Sequence, residues 1–480
     1  MMLEVNEDIL YLIFEELKDD GNTLFSCLLV NKNWFYIIIP ILWKNPWKYL
    51  KKNLVLLKVI ISHLSEESRN NIEKQNILVL TTSYQKPLFK YLSFCKHLSF
   101  ETIFNMMNST FAYGTRHIIV NEIINFFINE NMKFTHLSIP ELLCYKIHFT
   151  PEFKNCFSEL EFLQCDLDTS NQNILEGLAN ICKSIKNLKF KSFDSDVEIN
   201  RMVKLIESQK ELNNICYSIH RGHNESFYKS LEESLIKHMN TIQYLKIDKE
   251  SSAKLLLHFV NLISLEILAS SYTAYWKQLE DVYLPHLKFL KVKKILSKCL
   301  AKLIENTKGN LIEISIYKLS FDDLDQQELI QVIAQNCPNL KYLTLMFRNN
   351  DINIDKLEEL LINCQYLSGL NIVIHKNESG FNWNKLFKIL TKSSPIGLFK
   401  FKFYFDYNDT FFQLESLGLF FDEWKGRHPM LLQTDYIYNM YLKQYVDLIE
   451  IYKAKGIVKK YENIDRDAYE EFEWIEKKFD

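Results

Sequence analysis

One apolar pattern recurs through most of the chain and limits the folds that are open to it. An apolar residue is followed by two others, a second apolar residue, one other and a third apolar residue. In the clearest copies the pattern begins at Leu287, Leu311, Leu340, Leu367 and Leu398. The second and third apolar residues are two apart, so in a strand they share one face of a sheet. Because the starts are 24 to 31 residues apart, each unit has room for one short strand and one helix, which predicts a stacked α/β array.

Weaker copies continue the same register toward the N-terminus. They begin at Cys95, Phe134, Leu160, Ile185, Leu212, Ile242 and Leu262. The period lies in or near that of leucine-rich repeats, so the sequence predicts a horseshoe-shaped solenoid. The segment 323–336 supports this interpretation, because Ile330 and Ile333 share a helical face and Pro338 prevents the helix from continuing.

The cysteines are in phase with the repeat. Cys182, Cys337 and Cys364 each lie three residues before the first apolar residue of a unit. The segment from Ile333 to Leu340 resembles the cysteine-containing type of leucine-rich repeat. No two of the ten cysteines are closer than nine residues apart, so none forms a C-x-x-C zinc pair. We interpret them as small buried apolar residues, and we expect no disulfides in an intracellular protein.

The first 43 residues differ from the repeats and predict a separate three-helix segment. Asn6 is placed to cap a first helix that ends near Leu17. Gly21, with a positive φ, and Asn22, as a cap, are expected to start the second helix. A third helix is expected from about residue 31 to the residue before Pro40, because proline lacks an N–H group and disfavours helix in the preceding residue.

The apolar residues of this segment resemble a known family. They are Ile9-Leu10, Ile13-Phe14, Leu17, Leu24, Leu28, the run from Val30 to Trp34, and Pro40-Ile41-Leu42-Trp43, with the last two as an apolar anchor after the helices. This order resembles the F-box, the motif by which substrate receptors bind the Skp-type adaptor of cullin-RING ubiquitin ligases. The family usually opens with Leu-Pro, where this chain has Val5-Asn6, so a proline contact with the adaptor is lost. A plain helical cap on the repeat array is the other interpretation.

The resemblance implies residues that contact the adaptor or support its interface. They are Leu10, Ile13, Leu28, Val30, Trp34 and Trp43. Trp34 is equally consistent with a position in the core of the three helices.

A second candidate surface follows from the predicted strands. Residues that alternate with the apolar set share the other face of a parallel sheet, which is the natural binding surface of a solenoid. Aromatic and charged side chains on this face suit a protein or peptide partner. The candidates for contact with a target are Tyr244, Phe289, Lys291, Tyr317, Tyr342 and Tyr404. Lysines without arginine are a slight indication of an acidic or phosphorylated ligand, and the alternative is that much of the face is only solvated.

The C-terminal region is expected to cap the array. Helical spacing predicts a helix over 414–426 and another over 435–454, with a last edge strand at 430–432 between them. The stretch 461–480 is expected to be a short helix or a frayed tail. The predicted domains are an F-box at 1–48, a leucine-rich-repeat solenoid at 49–433 and a helical cap or tail at 434–480.

Charge and motif content narrow the classes of function. A net charge of -3, from 57 basic and 60 acidic residues, gives no global case for nucleic acid or an anionic membrane as a partner. No apolar run reaches the roughly 18 to 20 residues of a membrane span, and the N-terminus is not that of a secretory signal. The run from His220 to His223 lacks the further ligands of a metal site, and no glycine-rich phosphate loop is present, so no cofactor is expected.

The sequence thus predicts a non-catalytic substrate receptor of an SCF-type cullin-RING ubiquitin ligase in the cytoplasm or nucleus. Its partners would be the Skp-type adaptor, through the F-box, and an unknown target protein, through the repeats. One alternative is a repeat scaffold whose F-box has decayed, which Val5-Asn6 favours. The other is an enzyme of unrecognised type, which would need a deep pocket with converging titratable groups.

Overall fold

The computed structural model of the chain falls into two compact units, Met1–His238 and Met239–Asp480. The residues that it describes are 6–49, 53–74, 87, 89–111, 113–140, 150–166, 174–191, 196–217, 225–247, 250–269, 274–317, 323–347, 351–374, 381–405, 413–435 and 442–464. Val5, the run from His220 to His223 and the final residues from 465 onward lie outside them.

The first unit begins with helices where the sequence predicts three. They are α1 Glu7–Glu16, α2 Gly21–Cys27 and α3 Lys32–Lys44, followed by α4 Pro46–Tyr49, α5 Asn53–His63 and α6 Glu66–Glu73. The side chains of Asn6 and Asn31 cap α1 and α3 by accepting backbone N–H groups at 3.0 and 2.9 Å. Leu10, Phe14, Leu24, Ile38, Ile41 and Leu42 form a common core between α1, α2 and α3.

The start of α2 differs from the prediction. Asp20, and not Asn22, is the cap, and Gly21 has no positive φ. The reason is that the Asp20 carboxylate accepts both the backbone N–H of Thr23 at 3.1 Å and its hydroxyl at 2.6 Å. A carboxylate that meets two donors is a stronger cap than the neighbouring amide.

The end of α3 was also predicted wrongly. The helix continues through Pro40 to Lys44, so Leu42 and Trp43 are helical and do not follow the helix as an anchor. The proline removes the hydrogen bond to the carbonyl of Tyr36, and Tyr36 is 57% exposed, so water can replace that bond. Burial of Ile38, Ile39, Ile41 and Leu42 on both sides of the proline outweighs its cost.

Beyond these helices the first unit consists of strand–helix repeats. The parallel strands are neighbours in chain order: β1 His97–Ser99, β2 His136–Ile139, β3 Phe162–Asp166, β4 Asn187–Lys191 and β5 Asn214–Tyr217. The helices are α7 Phe100–Thr110, α8 Tyr113–Phe127, α9 Pro151–Phe157, α10 Ile174–Ile181, α11 Asp196–Glu207 and α12 Glu225–Ile236, and a 3-10 helix, Tyr91–Phe94, precedes β1.

The second unit repeats the same plan. Its parallel strands are β6 Tyr244–Ile247, β7 Ser264–Leu268, β8 Phe289–Lys293, β9 Glu313–Tyr317, β10 Tyr342–Phe347, β11 Gly369–Ile374, β12 Lys400–Phe405, β13 Met430–Asp435 and β14 Val458–Ile464. Its helices are α13 Ser297–Glu305, α14 Asp323–Asn336, α15 Asp351–Asn363, α16 Trp383–Ser393, α17 Leu414–Glu423 and α18 Leu442–Ala454, while two 3-10 helices, Glu250–His258 and Ala274–Asp281, link β6 to β7 and β7 to β8.

Strand register follows the apolar pattern. Each of the twelve patterned segments contains a strand, and within each unit the second apolar residue of one segment pairs with the second apolar residue of the next. In the first unit this row is Leu98, Leu137, Leu163, Leu188 and Ile215. In the second it is Leu245, Leu265, Leu290, Ile314, Leu343, Leu370, Phe401 and Leu432. The row packs on the helices, as the ring centroids of Phe401 and Trp424, 5.2 Å apart, illustrate.

The C-terminal region differs from the predicted cap. The strand predicted at 430–432 is present as β13, but it is not the last one, because β14 pairs with it in parallel. The helix predicted over 435–454 is α18, and it precedes β14. The sequence did not predict β14 because its apolar pattern is incomplete. Tyr461 pairs with Leu432 and occupies the second apolar position, but the third is occupied by the polar residue Asn463.

Most of the cysteines that the structure describes are buried, as predicted. Cys27 and Cys216 are the half-buried exceptions. Cys337 and Cys364 are fully buried, and the thiol of Cys364 lies 3.5 Å from the carbonyl oxygen of Cys337. Burial raises the pKa of Cys364 to about 12, so its thiol stays protonated and packs as an apolar group.

The apolar row makes a testable prediction about stability. Phe401→Ala removes a fully buried ring that contacts Phe420 and Trp424, and we expect it to lower the free energy of unfolding by about 3 to 5 kcal/mol. Ile396→Ala, at a side chain that is 85% exposed, is the control, with an expected change below about 0.5 kcal/mol. Urea unfolding followed by tryptophan fluorescence measures both. Equal effects of the two changes would contradict the assigned register.

Candidate partner-binding surfaces

The N-terminal helices expose apolar side chains that their own core does not use. On α1, Ile9, Leu12 and Ile13 are 52%, 64% and 48% exposed. Residues three and four apart lie on one side of a helix, so these three form a stripe. After α2, Leu29 and Val30 are 88% and 57% exposed. Large apolar side chains that the core leaves in water are typical of a surface that binds another protein.

The predicted adaptor residues divide between this surface and the core. Ile13 and Val30 are on the surface. Leu10 is 7% exposed and belongs to the core of the three helices, against which Leu28 is partly buried. These two therefore support the surface from beneath.

The two predicted tryptophans, Trp34 and Trp43, both make contacts within the chain. Trp34 packs on the core and meets the ring of Phe14 edge-on at a centroid distance of 5.1 Å. Trp43 stacks on Tyr91 in the 3-10 helix before β1, with centroids 5.1 Å apart. Trp43 thus joins the helical segment to the first repeat.

Two further contacts attach the helical segment to this repeat. The indole of Trp47 donates to the carbonyl of His97 in β1 at 2.6 Å. The backbone N–H of Lys96 donates to the carbonyl of Lys44, at the end of α3, at 3.0 Å. The segment is therefore held at the β1 end of the first unit, with the α1 stripe left in solvent.

Sequence reasoning missed Ile9, Leu12 and Leu29 as surface residues. The signal that was present is the excess of apolar residues on α1: one face of a short helix cannot bury Ile9, Leu10, Leu12, Ile13 and Phe14 together. Which of them are buried depends on the direction from which α3 packs, and the sequence alone does not give that direction.

The second surface is the face of the repeat sheet opposite the helices, here called the inner face. In the second unit its central positions form one row across the strands, the polar row. The row consists of Lys246, Glu266, Lys291, Ser315, Thr344, Asn371, Lys402, Gln433 and Glu462. The alternation that predicts the apolar row also predicts that the members from Lys246 to Lys402 share a face, and the structure confirms it. Gln433 and Glu462, which were not predicted, extend the row.

Four of the six predicted target-binding residues remain accessible. They are half-buried, and they are Tyr244, Phe289, Lys291 and Tyr342. The three aromatic residues belong to the row of positions next to the polar row, where Ser264 and Glu313 lie between them. Tyr317 and Tyr404 are 2% and 8% exposed, so they are buried within the chain and are not exposed anchors as predicted.

The lysines at one end of the polar row are paired. The Glu266 carboxylate forms ion pairs with the ammonium groups of Lys246 and Lys291, with N–O distances of 3.1 and 3.2 Å. These three side chains are only 22% to 36% exposed. Lys291 also lies over the ring of Tyr317, 5.9 Å from its centroid. Because Glu266 offsets part of their charge, these lysines attract an acidic ligand less than the sequence alone indicates.

A glycine shapes the middle of the inner face. Gly369 pairs in register with Tyr342 on one side and Lys400 on the other, and it contributes no side chain. The Lys400 ammonium crosses this position, donates to the Tyr342 hydroxyl at 3.2 Å and lies 5.1 Å from the centroid of its ring.

Beside this bridge, the polar row is deeply buried. Thr344 and Asn371 are each 1% exposed, and within the described part of the chain neither amide atom of Asn371 has a hydrogen-bond partner. Such buried amides cost free energy until a polar group meets them. Asn371 therefore lowers the stability of this stretch of the sheet, and its burial keeps it from contact with a partner.

Among the described carboxyls of the inner face, that of Glu313 has the pKa that is raised most. Burial raises its pKa from 4.5 to about 7, against the opposing effects of a hydrogen bond from Ser315 and the charge of Lys291. The side chain lies between Phe289 and Tyr342 in register, which explains the loss of hydration.

The inner face of the first unit carries a ring stack. The imidazoles of His97 and His136 are parallel, with centroids 3.6 Å apart, and Phe162 continues the stack at 5.3 Å. Burial lowers the pKa of His97 to about 3 and that of His136 to about 4, so both rings are neutral near pH 7. Sequence reasoning did not single out this stack, although the two histidines occupy equivalent positions in successive units.

Neither surface resembles a metal centre. In the ranges that the structure describes, no three His, Cys, Asp or Glu side chains converge on a point where a metal ion could sit. The same ranges contain no helix with the length and apolar content of a membrane span.

Of the comparisons with known proteins, only that with solved structures gave matches. No family model matches the chain. No curated protein is significantly similar to it in sequence. Among solved structures, the crystal structure of the yeast Rad7 and Elc1 complex matches at 13% identity with a TM-score of 0.34, over 71% of this chain and 88% of that chain. A likeness of this size carries no argument about function.

The altered carboxyl predicts a pH dependence of stability. Since the folded-state pKa of Glu313 lies above 4.5, the folded protein holds this proton more tightly than the unfolded chain does. The stability that this proton contributes is fully present below pH 4.5, the ordinary pKa of the group, and is lost as the pH rises through about 7. Glu313→Gln should remove that loss and make the protein more stable than the wild type at pH 8, by about 1 to 2 kcal/mol.

Urea unfolding at pH 5 and pH 8 tests this prediction. The control is Glu305→Gln, which changes a carboxylate on the helix layer that is paired with Lys302. A Glu313→Gln protein whose stability advantage is the same at both pH values would contradict the assignment.

Proposed function

We propose that this chain is a non-catalytic substrate receptor of a cullin-RING ubiquitin ligase, acting in the cytoplasm or nucleus. In this proposal the N-terminal helices bind a Skp-type adaptor, and the repeats bind a target protein. The observation that carries the proposal is the apolar stripe of α1 with Leu29 and Val30, exposed on helices whose core is already filled.

The attachment of the helical segment supports this division of roles. Trp43 and Trp47 fix it on the first repeat, while the α1 stripe stays in solvent. A partner bound to the stripe is thereby held in a defined position relative to the first unit. Tethering a target near an activated ubiquitin raises its effective concentration, which is what a non-catalytic receptor contributes to transfer.

The second candidate function is a repeat scaffold that has lost its adaptor. Asn6 favours it, because Asn6 caps α1 with its own side chain and the helix begins without the Leu-Pro that the F-box family usually has. The two functions differ in one measurable property, binding of the adaptor.

Binding of a purified Skp-type adaptor to the full chain tests the proposal. The change is Leu12→Asp with Leu29→Asp, at side chains that are 64% and 88% exposed, so the fold should be kept. Each buried charge at an interface is costly, and we expect binding to weaken by at least about 100-fold in calorimetry.

The matched control is Leu419→Asp, which places the same charge on α17 at a side chain that is 59% exposed. It should bind the adaptor like the wild type. No binding of the adaptor by the wild-type chain supports the scaffold instead, and equal binding by the double variant would place the adaptor elsewhere.

A further inference from the structure

The edge of the second unit at which the strands begin carries a surface that neither the helices nor the inner face includes. Two rows of side chains run along it, here called the rim strip. One row holds the residues immediately before the strands: Gln243, Ile263, Lys288, Ile312 and Lys341. The other holds the residues three positions before a strand: Asn261, His286, Asn310, Asn339 and Tyr366.

Backbone hydrogen bonds fix the first row. The carbonyl oxygens of Gln243, Ile263, Lys288 and Ile312 each accept two backbone N–H groups from the start of the next unit, at 2.8 to 3.1 Å. Each of these residues is therefore held in the same orientation as its neighbour. Their side chains repeat along the edge at the strand spacing of about 4.8 Å.

Side-chain amides fix the second row. Asn310 donates to the carbonyl of Pro285 at 2.7 Å, and Asn339 donates to that of Gly309 at 3.1 Å. Gly309 has φ +74°, and a Cβ atom there would lie 3.2 Å from the carbonyl oxygen of Asn336, so this turn requires glycine. Each of these two amides donates an N–H group within the chain, which holds its side chain in place.

Between the two rows lies a groove of about 440 Å³. Its polar walls are the amides of Asn240, Gln243, Asn261 and Asn310 together with His286 and Lys288, and Ile263 is also part of its lining. No carboxylate lines it. Carboxamides can accept and donate at once, which suits the alternating C=O and N–H groups of a peptide backbone.

The charge of the strip is positive. Lys288 and Lys341 are exposed, and neither of them forms an ion pair with another residue in the described ranges. This contrasts with Lys246 and Lys291 on the inner face, which share Glu266. An acidic ligand would therefore gain more on the rim strip than on the inner face.

Apolar side chains alternate with these charges. Ile263 and Ile312 are half-buried on either side of Lys288, and Tyr366 is 64% exposed at the far end. From β6 to β11 the strip spans five strand spacings, or about 24 Å, which is the length of about seven extended residues.

We propose that the rim strip binds an extended acidic peptide segment of a partner protein, with its carboxylates at Lys288 and Lys341 and an apolar side chain at Tyr366. The carboxamides of the groove would meet its backbone. The proposal does not depend on adaptor binding, because every residue in it belongs to the second unit while the adaptor surface belongs to the first.

Fluorescence anisotropy with the full chain tests the proposal. The probe is a fluorescein-labelled ten-residue peptide of alternating Glu and Leu, and its counterpart has Lys in place of Glu. The variant Lys288→Glu with Lys341→Glu should weaken binding of the acidic probe at least about tenfold. Tyr366→Ala should weaken it by a smaller factor, since it removes an apolar contact and leaves the charge unchanged.

The matched control is Lys298→Glu with Lys388→Glu, which makes the same change in net charge at exposed positions of α13 and α16. It should stay within about twofold of the wild type. The proposal is overturned if the acidic probe does not bind, if the control variant weakens binding as much as the rim variant, or if the basic probe binds equally well. If the wild-type chain binds the acidic probe but does not bind the adaptor, only the function proposed above is overturned.

Discussion

The parallel register of the strands is the constraint on which the rest of each unit depends. A slip of one residue would move the apolar row from the helices to the inner face and the polar row from the inner face into the core. The paired N–H groups on the carbonyls of Gln243, Ile263, Lys288 and Ile312 oppose such a slip at the starts of β7, β8, β9 and β10. The same bonds set the spacing of the rim strip, so they determine both the register of the core and the arrangement of the edge.

The repeats could be predicted from the sequence because their pattern is local and strong. An apolar residue every second position marks a strand, and a helical face ending at Pro338 marks the stop between units. Two predictions failed where the pattern weakens. Asn463 stands at an apolar position of β14, so this strand was not predicted. Pro40 was predicted to end a helix that in fact continues to Lys44. In both cases packing against neighbours outweighed the local preference, and packing is what a single sequence does not state.

Candidate sites were less predictable than the fold. Leu10 and Ile13 look alike in the sequence, yet one is in the core and the other is exposed, because the packing of α3 against α1 selects between them. Tyr317 and Tyr342 are both at strand positions of the inner face, and only Tyr342 is accessible. The pattern gives the face on which a residue lies, while its accessibility depends on neighbours that are distant in sequence.

In the proposed function an adaptor binds the N-terminal helices and the repeats are left free for a target, so adaptor binding should cover one small region. Hydrogen–deuterium exchange of the full chain, with and without a Skp-type adaptor, measures this most directly. Slower exchange is expected in α1 and α2, with the repeat strands unchanged. Unchanged exchange in α1 and α2, with slower exchange at the inner face, would contradict the proposed function.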